Sequence, residues 1–454
     1  MSAVIQDSNN ASAGSIALAH GNGGRTIAFG PDGPVALDTF LRHVRALSAA
    51  LPGGCHAINL CEDRYRFLVA FCAVALRGQV TLLPPSRAPA VIDDELRRHA
   101  DSYCLGDGAL DPEPPRYLRL PEPLPLHDGG ALRVDDAALA AIGFTSGSTG
   151  APLPNPKTWR SFRASTTQNL AALQDLWPAE ATAQLVATVP PQHMYGMELS
   201  VLLPLLGNVA VHTARPFFPE DVARALRDAD GHRLLVTTPV HLRALVASGI
   251  ALPALAGIVS ATAPLSRELA DAAEQRFGCE VRELFGSTET CVIARRRTAC
   301  EDAWTPLPGV SVQPQPDGSV VHAPHLPLPV ALGDLVEVAA DGRFHLCGRN
   351  ADLLEIAGKR ASLGDLTRKL QAIPGVVDGI VFQHDELDAG GVRRIVALAV
   401  APDGDAARIV QALRCAIDPV FLPRPLKLVA GLPRNGTGKL PRAELLRLLH
   451  GAAQ

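Results

Sequence analysis

One stretch decides the fold of this chain: Phe144-Thr145-Ser146-Gly147-Ser148-Thr149-Gly150. It follows the apolar residues Ala140-Ala141-Ile142, and this pattern predicts a strand that runs into a loop rich in hydroxyls and glycines. Consecutive backbone N–H groups of such a loop converge, and glycine lets the backbone approach a ligand closely. The loop therefore suits an anion, and a polyphosphate would use so many donors. Because Gly, Ser and Thr also dominate ordinary turns, this stretch alone leaves a plain polar turn as the alternative.

The size and composition of the chain argue against several classes of protein. Its 454 residues, 47% of them hydrophobic, are ample for a buried core and predict roughly two or three domains. The net charge of −4 predicts no surface for nucleic acid or for anionic membranes. No apolar run reaches the roughly 18 residues of a membrane span, and the first residues lack the basic start of a secretory signal.

The cysteines and histidines predict neither disulfides nor a metal site. There are nine cysteines and none lies in a C-x-x-C pair, which indicates reduced, mostly buried thiols in a cytoplasmic protein. His322, His325 and His345 lack the spacing of zinc ligands, so we expect them to be satisfied histidines at the surface.

The order of the apolar segments predicts an α/β fold. Buried strands at residues 185–189, 234–238 and 258–260 alternate with helical segments. This alternation is typical of a mainly parallel sheet that is covered by helices.

The composition of the sequence changes after residue 300. The proline-dense stretch 306–329 predicts a β-rich subdomain, and a smaller α+β module follows. We therefore expect a large N-terminal domain over residues 1–347, a hinge at 348–351 and a small C-terminal domain over 352–454.

Further segments place polar groups at strand ends or in glycine-rich turns. In chain order they are His193-Met194-Tyr195-Gly196, Ser260-Ala261-Thr262-Ala263-Pro264-Leu265, Leu284-Phe285-Gly286-Ser287-Thr288-Glu289, Gly333-Asp334, Gly348-Arg349 and Leu432-Pro433-Arg434-Asn435-Gly436-Thr437-Gly438-Lys439-Leu440-Pro441-Arg442. Glu289 offers a hard oxygen ligand for Mg²⁺ on a compact turn, and Thr288 offers a hydroxyl to a phosphate. Phe285 can lie on an adenine face, and Asp334 has two acceptor oxygens for a ribose diol. The plainer alternatives are a surface acid, a core aromatic and a turn aspartate.

Taken together, in this order and at these separations, the segments resemble the motifs of the adenylate-forming (AMP-binding) superfamily. Its members include acyl- and aryl-CoA synthetases, peptide-synthetase adenylation domains and luciferases of the firefly type. The resemblance covers residues 140–445 and implies a large adenylation domain, a small mobile C-terminal domain, and ATP and Mg²⁺ as cofactors. Because the chain is compact, it is most similar to ligases that activate an aryl or acyl acid, including those of aryl-polyene (xanthomonadin-like) pigment pathways.

The resemblance also implies roles for individual residues. Those that bind the nucleotide are Thr145, Ser146, Gly147, Ser148, Thr149, Gly150, Ala263, Pro264, Phe285, Gly286, Asp334 and Arg349. Thr288 and Glu289 act on the α-phosphate and on Mg²⁺, and Lys439 reaches from the small domain to the α-phosphate and the substrate carboxylate. Arg349 bridges ribose and phosphate, or else forms a salt bridge near the hinge.

The segment around His193 is similar to the one that gates the acid pocket in acyl and aryl ligases. The resemblance implies that His193, Tyr195 and Gly196 contact the substrate, with His193 orienting the carboxylate or closing the pocket. Activators of amino acids place an aspartate in this region to pair with the substrate ammonium. Glu198 is the only carboxylate nearby, and it leaves the amino-acid alternative open.

Two of the chain's departures from the family pattern concern the phosphate loop and the hinge. The family's phosphate loop continues Gly-x-Pro-Lys, whereas Leu153 stands at the lysine position and the first lysine is Lys157. Either Lys157 reaches back to the polyphosphate, or pyrophosphate is held with one charge fewer. At the expected hinge, Ala351 stands where a charged residue is usual. These departures leave a non-catalytic nucleotide-binding relative as an alternative.

The predicted reaction is the activation of a small carboxylic acid by ATP and Mg²⁺. An aryl acid such as a hydroxybenzoate is the favoured substrate, with a fatty acid or an amino acid as alternatives. The adenylate then passes its acyl group to a phosphopantetheine thiol, either of coenzyme A or of a holo acyl carrier protein. We expect a cytoplasmic ligase with no nucleic-acid partner, and the sequence does not determine its oligomeric state.

Overall fold

The computed structural model of the protein describes residues 14–146, 152–316, 318–349, 353–356, 359–387, 393–435 and 439–451. The chain divides into two compact units. The first contains the residues up to 301 together with 307–310 and 323–328, and the second contains 302–306, 311–322 and the residues from 329 onward. Residues 350–352 lie outside the described ranges, so the boundary at 348–351 stays a prediction.

The strands of the first unit are mostly short and buried. They are β1 (Ser15–Ala17), β2 (Thr26–Gly30), β3 (Gly33–Ala36), β4 (His56–Asn59), β5 (Val80–Leu83), β6 (Ser102–Gly106), β7 (Tyr117–Arg119), β8 (Arg133–Asp135), β9 (Leu139–Ser146), β10 (Pro152–Thr158), β11 (Ala183–Ala187), β12 (Val209–His212), β13 (His232–Thr237), β14 (Gly257–Ser260), β15 (Val281–Ser287) and β16 (Cys291–Arg296). Its helices are α1 (Leu37–Ala50), α2 (Arg64–Leu76), α3 (Pro89–Arg98), α4 (Trp159–Leu173), α5 (Met194–Met197), α6 (Leu203–Leu206), α7 (Pro219–Arg227), α8 (Pro239–Ala247) and α9 (Arg267–Phe277), and the segment Glu198–Leu202 between α5 and α6 is a π-helix.

The second unit begins with strands that pair antiparallel and continues with an α+β module. Its strands are β17 (Thr305–Pro306), β18 (Ser311–Gln315), β19 (Gly318–His322), β20 (Val330–Leu332), β21 (Asp334–Val338), β22 (Phe344–Arg349), β23 (Leu353–Ile356), β24 (Lys359–Ser362), β25 (Asp378–Leu387), β26 (Arg393–Val400) and β27 (Leu426–Leu428), and its helices are α10 (Leu363–Gln371), α11 (Ala406–Ala416) and α12 (Arg442–His450).

A parallel run of strands forms the centre of the larger sheet. β12, β11, β13, β14 and β15 lie side by side and pair in parallel. Every residue of Ala183–Ala187 and of Gly257–Ser260 is buried, as expected for strands that helices cover on both faces. The mainly parallel sheet is confirmed, and β11, β13 and β14 overlap the strands predicted at 185–189, 234–238 and 258–260, the first of them ending two residues earlier than predicted.

A second sheet of the first unit carries the hydroxyl-rich segment. Its order is β10-β9-β5-β4-β6-β7, parallel except for β10, which pairs antiparallel with β9. Helix α2 contacts strands of both sheets and is buried almost all round. A helix that is apolar on every side belongs inside a core, and α2 takes that place between the sheets.

The second unit contains most of the residues for which the sequence predicted β-rich and α+β structure. β18, β19 and β20 form the expected β-rich part around residues 306–329. In the α+β module, β25, β26 and β27 form one sheet, and α10 and α11 contribute Leu366, Leu370 and Leu413 to its core.

Two expectations about single residue types were wrong. All nine cysteines are free, but only Cys61, Cys72, Cys104 and Cys291 are buried. The exposed ones lie in turns or on the solvent face of a helix, where no packing partner covers them. His325, expected at the surface, is only 2% exposed. Within the described residues, no helix has the length and apolar character that a membrane crossing requires.

Candidate active site

Three of the predicted motifs follow parallel strands of one sheet. The segment that begins at His193 comes after β11, the Ala263-Pro264 pair comes after β14, and the Thr288-Glu289 pair comes at the end of β15. Because the carboxyl ends of parallel strands share one edge of a sheet, these segments lie along the same edge. That edge is where α/β sheets bind ligands.

The turn between β15 and β16 is locked by its own hydroxyls. The amide of Ser287 donates to Oγ1 of Thr290 at 3.1 Å, and the amide of Thr290 donates to Oγ of Ser287 at 3.2 Å. A Cβ on Gly286 would lie 2.1 Å from the carbonyl oxygen of Cys291, so this position requires glycine. Thr288 and Glu289 stand at the tip of this turn and are half-buried. Their hydroxyl and carboxylate are therefore presented on a fixed backbone.

Gly143 of β9 is the point at which three motifs meet. A Cβ on this glycine would lie 2.8 Å from Cγ2 of Thr288 and 3.1 Å from Cε of Met194. Gly143 stands just before Thr145, so the strand of the hydroxyl-rich segment touches both the Thr288-Glu289 turn and the segment of His193. Gly143 was not among the predicted site residues, although a glycine inside a strand often marks a close backbone approach.

The segment from His193 to Met197 packs tightly against the strand end before it. His193 is half-buried and precedes α5, and its amide donates to the carbonyl oxygen of Pro190 at 3.3 Å. A Cβ on Gly196 would lie 2.0 Å from that same oxygen. Tyr195 is buried, its hydroxyl donates to the carbonyl of Val259 at 3.0 Å, and burial raises its pKa well above the usual value. Tyr195 and Gly196 thus fix the segment, and His193 is its more accessible polar side chain.

The loop that holds Ala263 and Pro264 is anchored by a buried carboxylate. Glu283 of β15 is 3% exposed and accepts a hydrogen bond from the amide of Leu265 at 3.0 Å. Its other oxygen accepts from Arg296 and from Thr298, both at 2.7 Å. Sequence analysis also missed Glu283, because a strand glutamate without a nearby motif carries no signal of its own.

The predicted phosphate cradle is described only at its base. Gly147, Ser148, Thr149 and Gly150 lie outside the described residues, and of Ser146 only the backbone is described. The hydroxyl of Thr145 faces Asn155, whose Nδ2 lies 3.4 Å away. The cradle therefore stays a prediction.

Lys157 is turned away from the solvent. It is 4% exposed, and its Nζ donates to the main-chain oxygen of Glu289 at 2.6 Å. Of the two alternatives for the missing loop lysine, this contact favours a cradle with one charge fewer.

Glu198 is engaged inside the protein. It is 1% exposed, and its carboxylate accepts hydrogen bonds from Ser165, from Nδ2 of Asn169 at 3.0 Å and from the amide of Val292 at 3.0 Å. Burial raises the pKa of Glu198, while these hydrogen bonds and the charge of Lys157 act in the opposite direction.

In the second unit, two predicted nucleotide ligands stand opposite each other. Asp334 begins β21 and pairs across the antiparallel ladder with Arg349, at the end of β22. Asp334 is half-buried, and the side chain of Arg349 lies outside the described atoms. Their shared position on one ladder fits a common ligand, and their roles stay a prediction.

Two hydrogen bonds join Lys439 to Asn435. The amide of Lys439 donates to Oδ1 of Asn435, and the amide of Asn435 donates to the carbonyl of Lys439, both at 2.9 Å. Next to this clamp, Arg434 forms an ion pair with Asp378 at 2.9 Å. Lys439 itself is exposed. The clamp thus presents an ammonium to the solvent from a fixed base.

Glu289 is the candidate ligand for Mg²⁺. The described residues hold no cluster of three or more His, Cys, Asp or Glu that could bind a metal on its own. Mg²⁺ is commonly held by one or two carboxylates together with substrate phosphates and water, so a single carboxylate on a locked turn fits this ion.

The sequence is similar to those of known enzymes. The sequence profile of the AMP-binding enzyme family matches residues 60–322. A 4-coumarate–CoA ligase of Rhodobacter capsulatus is 32% identical over 305 residues, which are 66% of this chain and 74% of that protein. A probable 2-succinylbenzoate–CoA ligase of Mycobacterium tuberculosis is 28% identical over 358 residues, covering 71% of this chain and 89% of that protein.

Solved structures show the same fold. MatB of Rhodopseudomonas palustris, solved with ATP, has a TM-score of 0.79 at 18% identity and covers 95% of this chain and 97% of its own. MenE of Bacillus subtilis, solved with ATP and a magnesium ion, has a TM-score of 0.78 at 18% identity and covers 93% of this chain and 96% of its own. The predicted adenylate-forming fold is confirmed, and so are an acid–thiol ligase of the AMP-forming class and its cofactors ATP and Mg²⁺. The chain belongs to the AMP-binding enzyme family.

Proposed function

We propose that the protein activates a small carboxylic acid, with an aryl acid such as a hydroxybenzoate as the favoured substrate. A carboxylate oxygen attacks the α-phosphorus of ATP, and the bond to the bridging oxygen breaks, so pyrophosphate leaves and an acyl-adenylate forms. The sulfur of a phosphopantetheine thiol then attacks the carbonyl carbon. AMP leaves with the former carboxylate oxygen, and the thiol proton passes to solvent. The products are a thioester, AMP and pyrophosphate.

The meeting of three motifs at Gly143 carries this proposal. The strand that leads into the hydroxyl-rich loop, the turn of Thr288 and Glu289, and the segment of His193 are within side-chain contact there. A site that joins an acid to a nucleotide needs phosphate donors, a metal ligand and an acid pocket side by side. These segments supply one each.

Electrostatics explains why such groups are needed. Two unit charges ~4 Å apart repel by about 1 kcal/mol in water and by about 4 kcal/mol at an effective dielectric of 20. The attacking carboxylate and the α-phosphate are such a pair, so the site must supply donors and cations as charge accumulates. Mg²⁺ on Glu289 would supply positive charge at the phosphates. Thr288 would donate its hydroxyl to the α-phosphate, and Lys439 would bring an ammonium from the small domain.

The remaining residues divide between the acid and the nucleoside. His193 would orient the carboxylate or close the acid pocket, on a backbone that Tyr195 and Gly196 fix. The backbone at Ala263 and Pro264 would line the adenine pocket, with Phe285 on the adenine face.

The second unit would bind the sugar and take part in both steps. Asp334 and Arg349, which are paired on one ladder, would hold the ribose. The small domain would reorient between adenylation and thioester formation, about a hinge near residues 348–351.

The environment of Glu198 supports an acid without an ammonium group. A carboxylate that is to pair with a substrate amine has to be open to the acid pocket, whereas that of Glu198 is buried and accepts hydrogen bonds from Ser165, Asn169 and Val292. The names of the relatives, 4-coumarate–CoA and 2-succinylbenzoate–CoA ligases, support an aromatic acid. Fatty acids and amino acids are the alternatives in the test.

The acceptor is a phosphopantetheine thiol in either case. The CoA ligases among the relatives support coenzyme A, and the holo acyl carrier protein is the alternative. A cytoplasmic location remains the expectation from the cysteines.

ATP–pyrophosphate exchange across a panel of hydroxybenzoates, cinnamates, fatty acids and amino acids tests the proposal. We expect exchange with aryl acids and none with amino acids. Repeating the active reactions with coenzyme A and with holo acyl carrier proteins identifies the acceptor by the thioester formed. Exchange with amino acids alone would contradict the aryl assignment.

One feature of the phosphate segment departs from the pattern of the family's ligases. Leu153 stands where the family's phosphate loop has lysine, and it is 57% exposed. We expect exchange in spite of this departure. Magnesium-dependent ATP binding together with silence toward every acid in the panel would contradict the proposed reaction.

A further inference from the structure

Lys157 reaches from β10 to the turn that carries Thr288 and Glu289. Its register partner on the neighbouring strand is Ala141, and its ammonium ends on the main-chain oxygen of Glu289 at 2.6 Å. The ammonium is thus committed to the backbone of the residue that we assign to Mg²⁺.

Glu198 holds the same turn from another element. It lies in the π-helix that follows α5, and its carboxylate accepts the amide of Val292, three residues after Glu289, at 3.0 Å. Ser165 and Asn169 of α4 bind the same carboxylate, which fixes its orientation.

His325 is a third contact on this backbone. Its Nε2 lies 2.5 Å from the carbonyl oxygen of Thr290, and its Nδ1 lies 2.5 Å from Oε1 of Gln168. The amide nitrogen of Gln168 donates to the carbonyl of Pro308 at 2.8 Å, which sets the orientation of that amide. The main chain from Glu289 onward is therefore held at Glu289, Thr290 and Val292 by side chains from three separate parts of the chain.

Charged groups are an expensive way to support a turn. Burying a lysine and a glutamate carries a desolvation penalty that apolar packing would avoid, so stability alone does not account for them. Hydrogen bonds from or to a charged group are shorter and roughly twice as strong as neutral ones, and they fix the geometry of their partners more firmly. A metal ligand whose position sets the rate is a place where such rigidity has a use.

We propose that Lys157 and Glu198 are positioning residues for the Glu289 carboxylate, and that Lys157 does not contact the polyphosphate. This inference rests on the proposed function, since it assigns Glu289 to the Mg²⁺ that accompanies ATP. It also gives Lys157 a role in a chain that has Leu153 where the family's phosphate loop has a lysine.

Lys157→Met and Glu198→Gln test the inference, since they remove charge with little change of volume. Misplacing a catalytic geometry by up to 1 Å costs up to ~10²-fold, so both variants should lower kcat for pyrophosphate exchange by about 10- to 100-fold. Both should raise the Mg²⁺ concentration for half-maximal ATP binding, and AMP binding without metal should be unchanged. Because the two residues hold one turn, kcat of the double variant should be no more than about threefold below that of the more impaired single variant.

Lys427→Met is the matched control. Its Nζ donates to the main-chain oxygen of Leu448 at 2.8 Å, so it is also a lysine that holds a carbonyl, but in the second unit. It should leave the Mg²⁺ dependence unchanged. Lys157→Arg keeps a charged donor and should restore the Mg²⁺ dependence to within about threefold of the wild type.

Two results would overturn the inference. The first is an unchanged Mg²⁺ dependence in both single variants. The second is that Lys157→Met binds ATP more weakly than the wild type at saturating Mg²⁺ while Glu198→Gln binds it as the wild type does. That result would indicate direct contact between Lys157 and the polyphosphate. If a variant does not fold, hydrogen exchange of residues 287–293 in the wild type, with and without Mg²⁺ and ATP, decides instead. Slow exchange in both states supports a preformed turn, and protection that appears only with the nucleotide contradicts it.

The binding measurements separate this inference from the proposed function. If no acid of the panel supports exchange, the proposed reaction fails, but the Mg²⁺ dependence of ATP binding in the variants still tests the positioning role.

Discussion

The two regions that carry the candidate charged groups are built in opposite ways. The turn of Thr288 and Glu289 is half-buried and held by side chains from β10, from the π-helix and from the segment around His325. Lys439 is exposed, and the contacts described for its backbone are local, made by Asn435 four residues earlier. The backbone that carries Glu289 is held by distant parts of the chain, while the backbone of Lys439 is held by a nearby residue.

The difference fits groups that act at different moments. A metal ligand has to be in position before ATP arrives, because any rearrangement during the reaction would add to the barrier. A group that joins the site only for adenylation has to be free to leave it for the second step. We therefore expect changes at the turn to act through the metal and changes at the loop to act on the first half-reaction alone.

Lys439→Ala should have the largest effect on activity and tests the Lys439 side of this contrast. Removing one preorganised charge contact typically lowers the rate by ~10²–10³, and we expect that loss in pyrophosphate exchange. Thioester formation from a pre-made acyl-adenylate should fall far less. Lys369→Ala, which removes a surface lysine that pairs with Asp365 in the same unit, is the control. Equal losses in both half-reactions would indicate misfolding rather than a role in adenylation.

Glu289→Gln should act on the other side of the contrast. Loss of one stabilising group at the reacting phosphate lowers the rate by ~10²-fold, and the defect should be relieved in part by high Mg²⁺. Glu268→Gln, at an exposed position in the first turn of α9, should behave as the wild type. A Mg²⁺ titration of pyrophosphate exchange is the measurement, and an unchanged half-saturation would remove Glu289 from the metal site.

Gly143→Ala tests whether the turn is as rigid as its contacts indicate. The new methyl group would lie 2.8 Å from Cγ2 of Thr288 and 3.1 Å from Cε of Met194, so something must shift by several tenths of an ångström. We expect kcat/KM to fall by about 10-fold, since small displacements of catalytic groups are costly. Gly53→Ala has nothing within 4 Å and is the control. Wild-type activity of Gly143→Ala would show that the turn can shift without loss of function.

The fold was predictable from the sequence because its signals are local. Short runs of apolar residues such as 185–189 are typical of buried strands, and their alternation with helices implies a parallel sheet. The nucleotide motifs could be found because each places special residue types, glycine above all, in a short segment. The exposure of Cys55 and the burial of His325 were missed because exposure depends on packing from distant parts of the chain.

The supports of the site could not be predicted for the same reason. Lys157 is 132 residues from the carbonyl that it holds, and Glu198 is 94 residues from Val292. A lysine that follows Pro156 and a glutamate in an apolar segment carry no local sign of the backbone groups that they hold. Only the fold brings them to one turn, and a motif search does not report contacts at such separations.

Asn435→Ala should have the smallest effect and sharpens the contrast from the side of the loop. It removes the side-chain oxygen that accepts the amide of Lys439 at 2.9 Å and leaves the ammonium in place. A typical hydrogen bond contributes about 0.5–1.5 kcal/mol, so holding Lys439 in position should be worth about 2- to 10-fold in pyrophosphate exchange. Asn435→Asp keeps the acceptor and should restore most of this activity. In a Lys439→Ala background the Asn435→Ala change should have no further effect, because a clamp that acts only by presenting the ammonium has nothing left to present. An additive loss in that double variant would mean that Asn435 acts on the nucleotide or on the fold by itself. The contrast between Lys439 and the turn of Glu289 would then be weaker than the described contacts indicate.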